Sequence, residues 1–157
     1  KKSSNQYKFD VAFTSHLYDC DSYKQVLDIR LPEELGMERQ EIRRIVFAGE
    51  ILEINYTKIA KEKFKSRSVI YTLWGEVDTD ITKLHWNKEE VDSLWPISLT
   101  DFKKIIKGQT VELTGFDGDK HITEDVCKDD FCLRLGKFYE KMAIMSERYC
   151  EGKDIAF

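Results

Sequence analysis

The residues best placed to do chemistry form one short run, Gly75-Glu76-Val77-Asp78-Thr79-Asp80-Ile81. Acidic side chains alternate there with apolar residues or Thr, and the run continues an apolar stretch from Val69 to Trp74. In a strand, side chains two apart share a face. The pattern therefore predicts an acidic ridge of Glu76, Asp78 and Asp80, with Val77 and Ile81 turned to the core. Such a ridge can face a cation, a basic partner or solvent. Carboxylates two apart on a flat strand sit about 7 Å from one another, too far to share one ion unaided. A metal site of these three with His85 is therefore not expected, and no cofactor is.

Other chemistry is sparse. His121-Ile122-Thr123 has the H-x-T form of phosphoesterases that use two such motifs, but neither His16 nor His85 begins a second copy. Asp117-Gly118-Asp119 lacks the ligand spacing and closing Glu of a calcium loop, and reads as a hairpin turn. No phosphate-binding glycine loop, nucleophile elbow or H-E-x-x-H is present. No catalytic residue is assigned, and an enzyme is not the expected reading.

The four cysteines are Cys20, Cys127, Cys132 and Cys150. The last three fall in a segment with a helical pattern. On a helix, Cys132 and Cys150 would lie about 27 Å apart, far beyond bridging. Free thiols are expected there, with the state of Cys20 left open. Cys127-x4-Cys132 is a poor match to structural zinc spacing.

The chain has 157 residues, 41% hydrophobic and 34% charged, with two prolines. That length suits a single globular domain over 1–157, and a chain of this size buries roughly 70% of its unfolded surface. Residues 1–6 are expected to be disordered. No apolar run reaches the roughly 20 residues of a membrane helix, and Lys1–Asn5 leads into no signal-like apolar core, so a cytoplasmic protein is expected. The net charge is −4. Basic residues are dispersed, at Arg43-Arg44, Lys61 to Lys65 and Lys103-Lys104, which argues against nucleic acid and for a basic protein partner.

The elements that would position these groups follow from periodicity. Tyr7 to Thr14 alternates as a strand, Asp19 to Ser22 reads as a turn, and Gln25 to Leu31 predicts a second strand stopped by Pro32. Glu33 to Arg44 is rich in helix formers but contains Gly36, so one short helix is expected after it. Ile45 to Tyr56 and Ser68 to Ile81 predict strands, with a short helix or basic loop over Thr57 to Lys65. Asn87 to Glu90 and Ser98 to Asp101 resemble helix N-termini, with staples Trp86/Val91 and Ile97/Phe102. Gly108 suits a left-handed C′ position. Val111 and Leu113 lead into the turn at Asp117 to Asp119, and His121 to Thr123 begins the return strand. From Glu124 to Cys150, Phe131, Leu135, Phe138, Met142, Met145 and Tyr149 trace one helical stripe. The expected fold class is α+β: a mainly antiparallel sheet, a long C-terminal helix on one face, and two short helices before the final hairpin.

The functional expectation is a small acidic binding protein, concretely an immunity or inhibitor protein that neutralises a basic toxin such as a nuclease. Its partner-binding residues would be Glu76, Asp78, Asp80, Asp117 and Asp119. The alternatives are a metal- or His-assisted phosphoesterase-like hydrolase, and an accessory protein that self-associates through a sheet edge.

Overall fold

The computed structural model describes residues 8–12, 22–59, 62–134 and 137–153, and their side chains except those of 51–68. The expected disordered segment 1–6, the turn over Asp19 to Asp21, Cys20 and His16 lie outside these residues. The fold is α+β, with two antiparallel two-stranded sheets and three α-helices among the described residues. The chain divides into two compact units, Lys1–Arg43 with Glu76–Cys132, and Arg44–Gly75 with Leu133–Phe157. No helix among the described residues is long and apolar enough to cross a membrane.

The first unit opens with α1, Tyr23–Leu35, where a strand was expected over Gln25 to Leu31. A capping box decides the local structure. The Ser22 hydroxyl accepts from the Gln25 amide, and the Gln25 side chain accepts from the Ser22 amide at 2.8 Å. Leu27, Leu31 and Leu35 then fall on one buried face. Pro32 does not stop the helix; it sits inside it, at the cost of one bond to the Asp28 carbonyl. Leu31 and Leu35 pack with Met37, joined by Ile42, Leu84, Val91 and Leu94.

The Asn87 signal yields a single turn and no helix. Its side chain accepts from the Glu89 amide, its carbonyl from Glu90 and Val91, and the chain then leaves the helical path. The second signal holds. Helix α2 spans Leu99–Ile106 with Ser98 as N-cap, its hydroxyl accepting from the Asp101 amide at 3.0 Å. Gly108, at φ +86°, closes it as expected. The Gly108 amide donates to the Ile105 carbonyl and the Gln109 amide to Lys104, the paired bonds of a Schellman end.

The hairpin follows: strand β3, Val111–Phe116, pairs antiparallel with β4, His121–Val126, in a register running from Val111 opposite Val126 to Phe116 opposite His121. One face is buried. Leu113 and Val126 pack on Ile105 of α2, with Trp95, Ile97, Phe9 and Phe131 around them. Beyond the outer edge of β3, Leu94 and Phe116 exchange both backbone bonds at 2.9 Å. Of the expected first strand, the described part is a single parallel bridge between Phe9 and Phe131.

In the second unit, β1 is Ile42–Ile59 and β2 is Glu62–Val77, both beginning or ending in the first unit. Thr57 to Ile59 and Glu62 to Lys65 are strand, where a helix or loop was expected. Helix α3, Phe138–Cys150, is half the length its stripe implied. Glu124–Val126 is consumed by the hairpin, and Lys128–Asp130 forms a 3-10 turn. The stripe is thus split: Phe131 packs in the first unit's core, while Met145 and Tyr149 of α3 cover Ala48, Val46 and Trp74 in the second. Leu135 lies outside the described residues. Trp74 stacks on Tyr149 at 6.4 Å, and the Arg44 guanidinium lies over the same tyrosine ring. Cys127, Cys132 and Cys150 are free thiols, on a turn, in a core and at a helix end.

Gly115 marks the tightest packing in the hairpin: it is buried, and a Cβ there would run into the Trp95 indole. Gly115→Ala is expected to destabilise the protein by about 1–3 kcal/mol, because a ring held by packing on several sides cannot withdraw. Thermal unfolding checks this, at roughly 2–4 °C lost for each kcal/mol.

Candidate functional site

The five carboxylates expected to form a binding surface all lie in the first unit, but not as a ridge. Strand β2 ends at Val77, so Asp78 and Asp80 lie beyond it, and Val77 is 41% exposed where a core residue was expected. Arg43 meets the first two acids. Its Nη2 contacts Asp78, and its Nη1 lies 3.9 Å from Glu76 Oε1. Asp80 turns to local work as N-cap of the 3-10 turn Ile81–Lys83. Its Oδ1 accepts from both the amide and the hydroxyl of Thr82 at 3.0 Å.

The hairpin tip repeats this economy. Asp117 Oδ1 accepts from the Asp119 and Lys120 amides, each at 2.9 Å. Asp119 accepts from Lys88 Nζ at 2.8 Å. Each of the five acids therefore has a partner within its own unit. The Asp117 carboxyl is held below the ordinary carboxylate range by the Lys120 and Asp119 amides. Asp80 is lowered likewise by the Thr82 amide and hydroxyl.

Among the described residues, His85 and His121 do not join these groups in a cluster arranged to hold a metal. His121 packs its ring against Phe116 at 5.4 Å. His85 is exposed in the segment after that turn. No group of three His, Cys, Asp or Glu side chains among the described residues is arranged to hold a metal ion. An open depression of about 400 Å³ is lined by Lys24, Asp28, Glu38, Arg39 and Gln40, none of them named from the sequence. Its charges are mixed, and Arg39 already lies 3.8 Å from Asp28. Glu34 is raised above the usual range, first by burial and then by the Glu90 charge.

Among the described acids without an ion pair, three lie together on the hairpin: Glu112, Glu124 and Asp125. Phe116 turns its backbone bonds outward to Leu94, and the Asp117 amide donates to the Lys120 carbonyl. Bonded and non-bonded pairs alternate from there down an antiparallel ladder. Phe116/His121, Thr114/Thr123 and Glu112/Asp125 are thus the non-hydrogen-bonded pairs, whose side chains approach most closely. Glu112 and Asp125 are both exposed and directly opposed, and neither has an ion pair among the described residues. Like charges so placed are destabilising. Glu124, also exposed, flanks them on the other face. The sequence held the signal: once the turn places Asp117 opposite Lys120, the same register sets Glu112 against Asp125.

The turn contacts have a pH signature. A carboxyl whose folded pKa lies below its unfolded value stabilises fully above the unfolded value, about 3.9 for Asp, and loses that contribution as pH falls through the folded value. Carboxyl NMR titration is expected to give midpoints below about 3.9 for Asp117 and Asp80. The Asp119, Lys120 and Thr82 amides should shift in step. In Asp117→Asn, which keeps the acceptor oxygen, the Asp119 and Lys120 shifts should no longer respond to pH. Compared with known proteins, the chain matches no family model, no curated sequence and no solved structure.

Proposed function

We propose that this is an acidic binding protein whose partner is a basic protein, in the concrete form of an immunity or inhibitor protein that neutralises a cationic toxin such as a nuclease. One observation carries the reading: Glu112 and Asp125 are held face to face and exposed on a well-packed hairpin. Without a partner, that pair costs the fold a few tenths of a kcal/mol. A cationic side chain seated between them reverses the sign. The net charge of −4 adds long-range attraction, which raises the association rate more than it lowers dissociation.

In this reading the hairpin acids take the direct contact. Glu76, Asp78, Asp80, Asp117 and Asp119 serve turns, caps and ion pairs, and keep a supporting role in the overall field. Glu112, Asp125 and Glu124 carry the contact. Inhibition in this form works by occupying a cationic surface, with opposite fields guiding the encounter.

The test is affinity capture at low and high ionic strength, with captured proteins identified and their charge tabulated. Basic proteins that elute with salt are the expected catch; acidic or salt-insensitive ones would overturn the reading. The double variant Glu112→Gln/Asp125→Asn is expected to bind such a partner at least about tenfold more weakly, since two close charge contacts are lost. The same variant should unfold slightly later, by a few tenths of a kcal/mol, because the repulsion is gone. Loss of binding with a gain in stability separates a recognition role from a structural one.

A further inference from the structure

The ladder that sets the acids against each other also leaves a strand edge without a partner among the described residues. In β4, Ile122, Glu124 and Val126 direct their backbone groups to β3. His121, Thr123 and Asp125 direct theirs to the opposite side. None of those three amides and three carbonyls has a hydrogen-bond partner among the described residues, and all three residues are exposed. The other edge of the hairpin is not equivalent, since Leu94 already pairs with Phe116. The open stretch ends at Cys127, whose amide donates to Asp130 Oδ2 at 2.9 Å.

We propose that this edge of β4 receives an extended basic segment of the partner protein as an added strand. The inference rests on the basic-partner reading above and specifies how that partner is held. Main-chain bonds to His121, Thr123 and Asp125 would supply affinity, and the flanking side chains would supply selectivity. Asp125 and Glu112 lie on one face of the edge and Glu124 on the other. An incoming strand therefore meets carboxylates on both faces at one end, and half-buried Ile122 towards the other. The matching segment carries two consecutive Lys or Arg residues opposite Asp125 and Glu124, a small residue opposite Thr123 and an apolar one opposite Ile122. A second copy of this chain is the weaker occupant, because its edge brings the same carboxylates.

The probe is a short acetylated peptide containing Lys-Lys-Thr-Val-Ser, which presents this order in antiparallel pairing, added to the full-length labelled protein at low salt. Amide hydrogen exchange at His121, Thr123 and Asp125 is expected to be fast in the free protein and slowed about tenfold or more by the peptide. Ile122 and Glu124 should be protected already. Methylating alternate backbone nitrogens of the peptide keeps its charge but removes its donors, and should weaken binding about tenfold or more. Salt-dependent binding that ignores methylation and leaves the three amides unprotected overturns strand addition while leaving the basic-partner reading intact. Absence of binding at low salt also overturns strand addition, and the capture experiment then judges the partner reading on its own. Protection that rises with protein concentration without peptide would assign the edge to a second copy and overturn the proposal.

Discussion

The register of one hairpin is the constraint on which the rest of the first unit depends. Leu113 and Val126 reach Ile105 only if β3 and β4 pair as they do, and Gly115 admits the Trp95 ring only at that position. A slip of one residue would turn the whole apolar set to solvent. Burying side chains of this size contributes about 1.5–3 kcal/mol each. Opposing Glu112 to Asp125 costs at most about 1 kcal/mol. Burial therefore wins, and the fold imposes a charge arrangement that electrostatics alone would reject.

The carboxylates divide by what lies near their backbone. Asp80, Asp101, Asp117 and Asp130 each sit at a turn or helix start, and each accepts from a nearby amide or hydroxyl. Asp80, Asp117 and Asp130 are lowered first by those bonds, and Asp101 first by the Lys104 ammonium and then by the Ser98 hydroxyl. Asp80 and Asp117 take amides two or three residues ahead of them, whereas Asp130 reaches back to the Cys127 amide and Asp101 to the Ser98 hydroxyl. Glu112, Glu124 and Asp125 sit mid-strand, where the amides are committed to the ladder or point away from the side chain. Their charge has no ion pair among the described residues.

The same competition explains what could be read from the sequence. Ser98, Gly108 and the Asp117-Gly-Asp119 turn were legible because the residues that make those structures are local. The strand expected at Gln25 to Leu31 rested on the alternation of Leu27, Ile29 and Leu31. Ile29 is 57% exposed, and the fourfold spacing Leu27, Leu31, Leu35 was the true signal, announced by Ser22 and Gln25. The C-terminal stripe was helical in spacing but joined residues of two different cores, which no periodicity can separate. In the acidic run, alternation was real but outlasted the strand, since Asp80-Ile-Thr82 is itself a capping sequence that ends extension. The opposed pair on the hairpin was legible only by counting back from the turn, since the register that sets Asp117 against Lys120 also sets Glu112 against Asp125.

A strand edge left open in a folded protein is a hazard, because any extended chain can pair with it. Proteins blunt such edges with charge, and Asp125 and Glu124 do so for β4. Acid in this role is selective in a way that lysine is not for this partner class. It repels acidic chains, including other copies, while lowering the cost of approach for a cationic strand. Burial sets the register, register sets the opposed carboxylates, and those carboxylates decide which strand can be added. Under the strand-addition proposal, the charge that protects the edge would also select its partner.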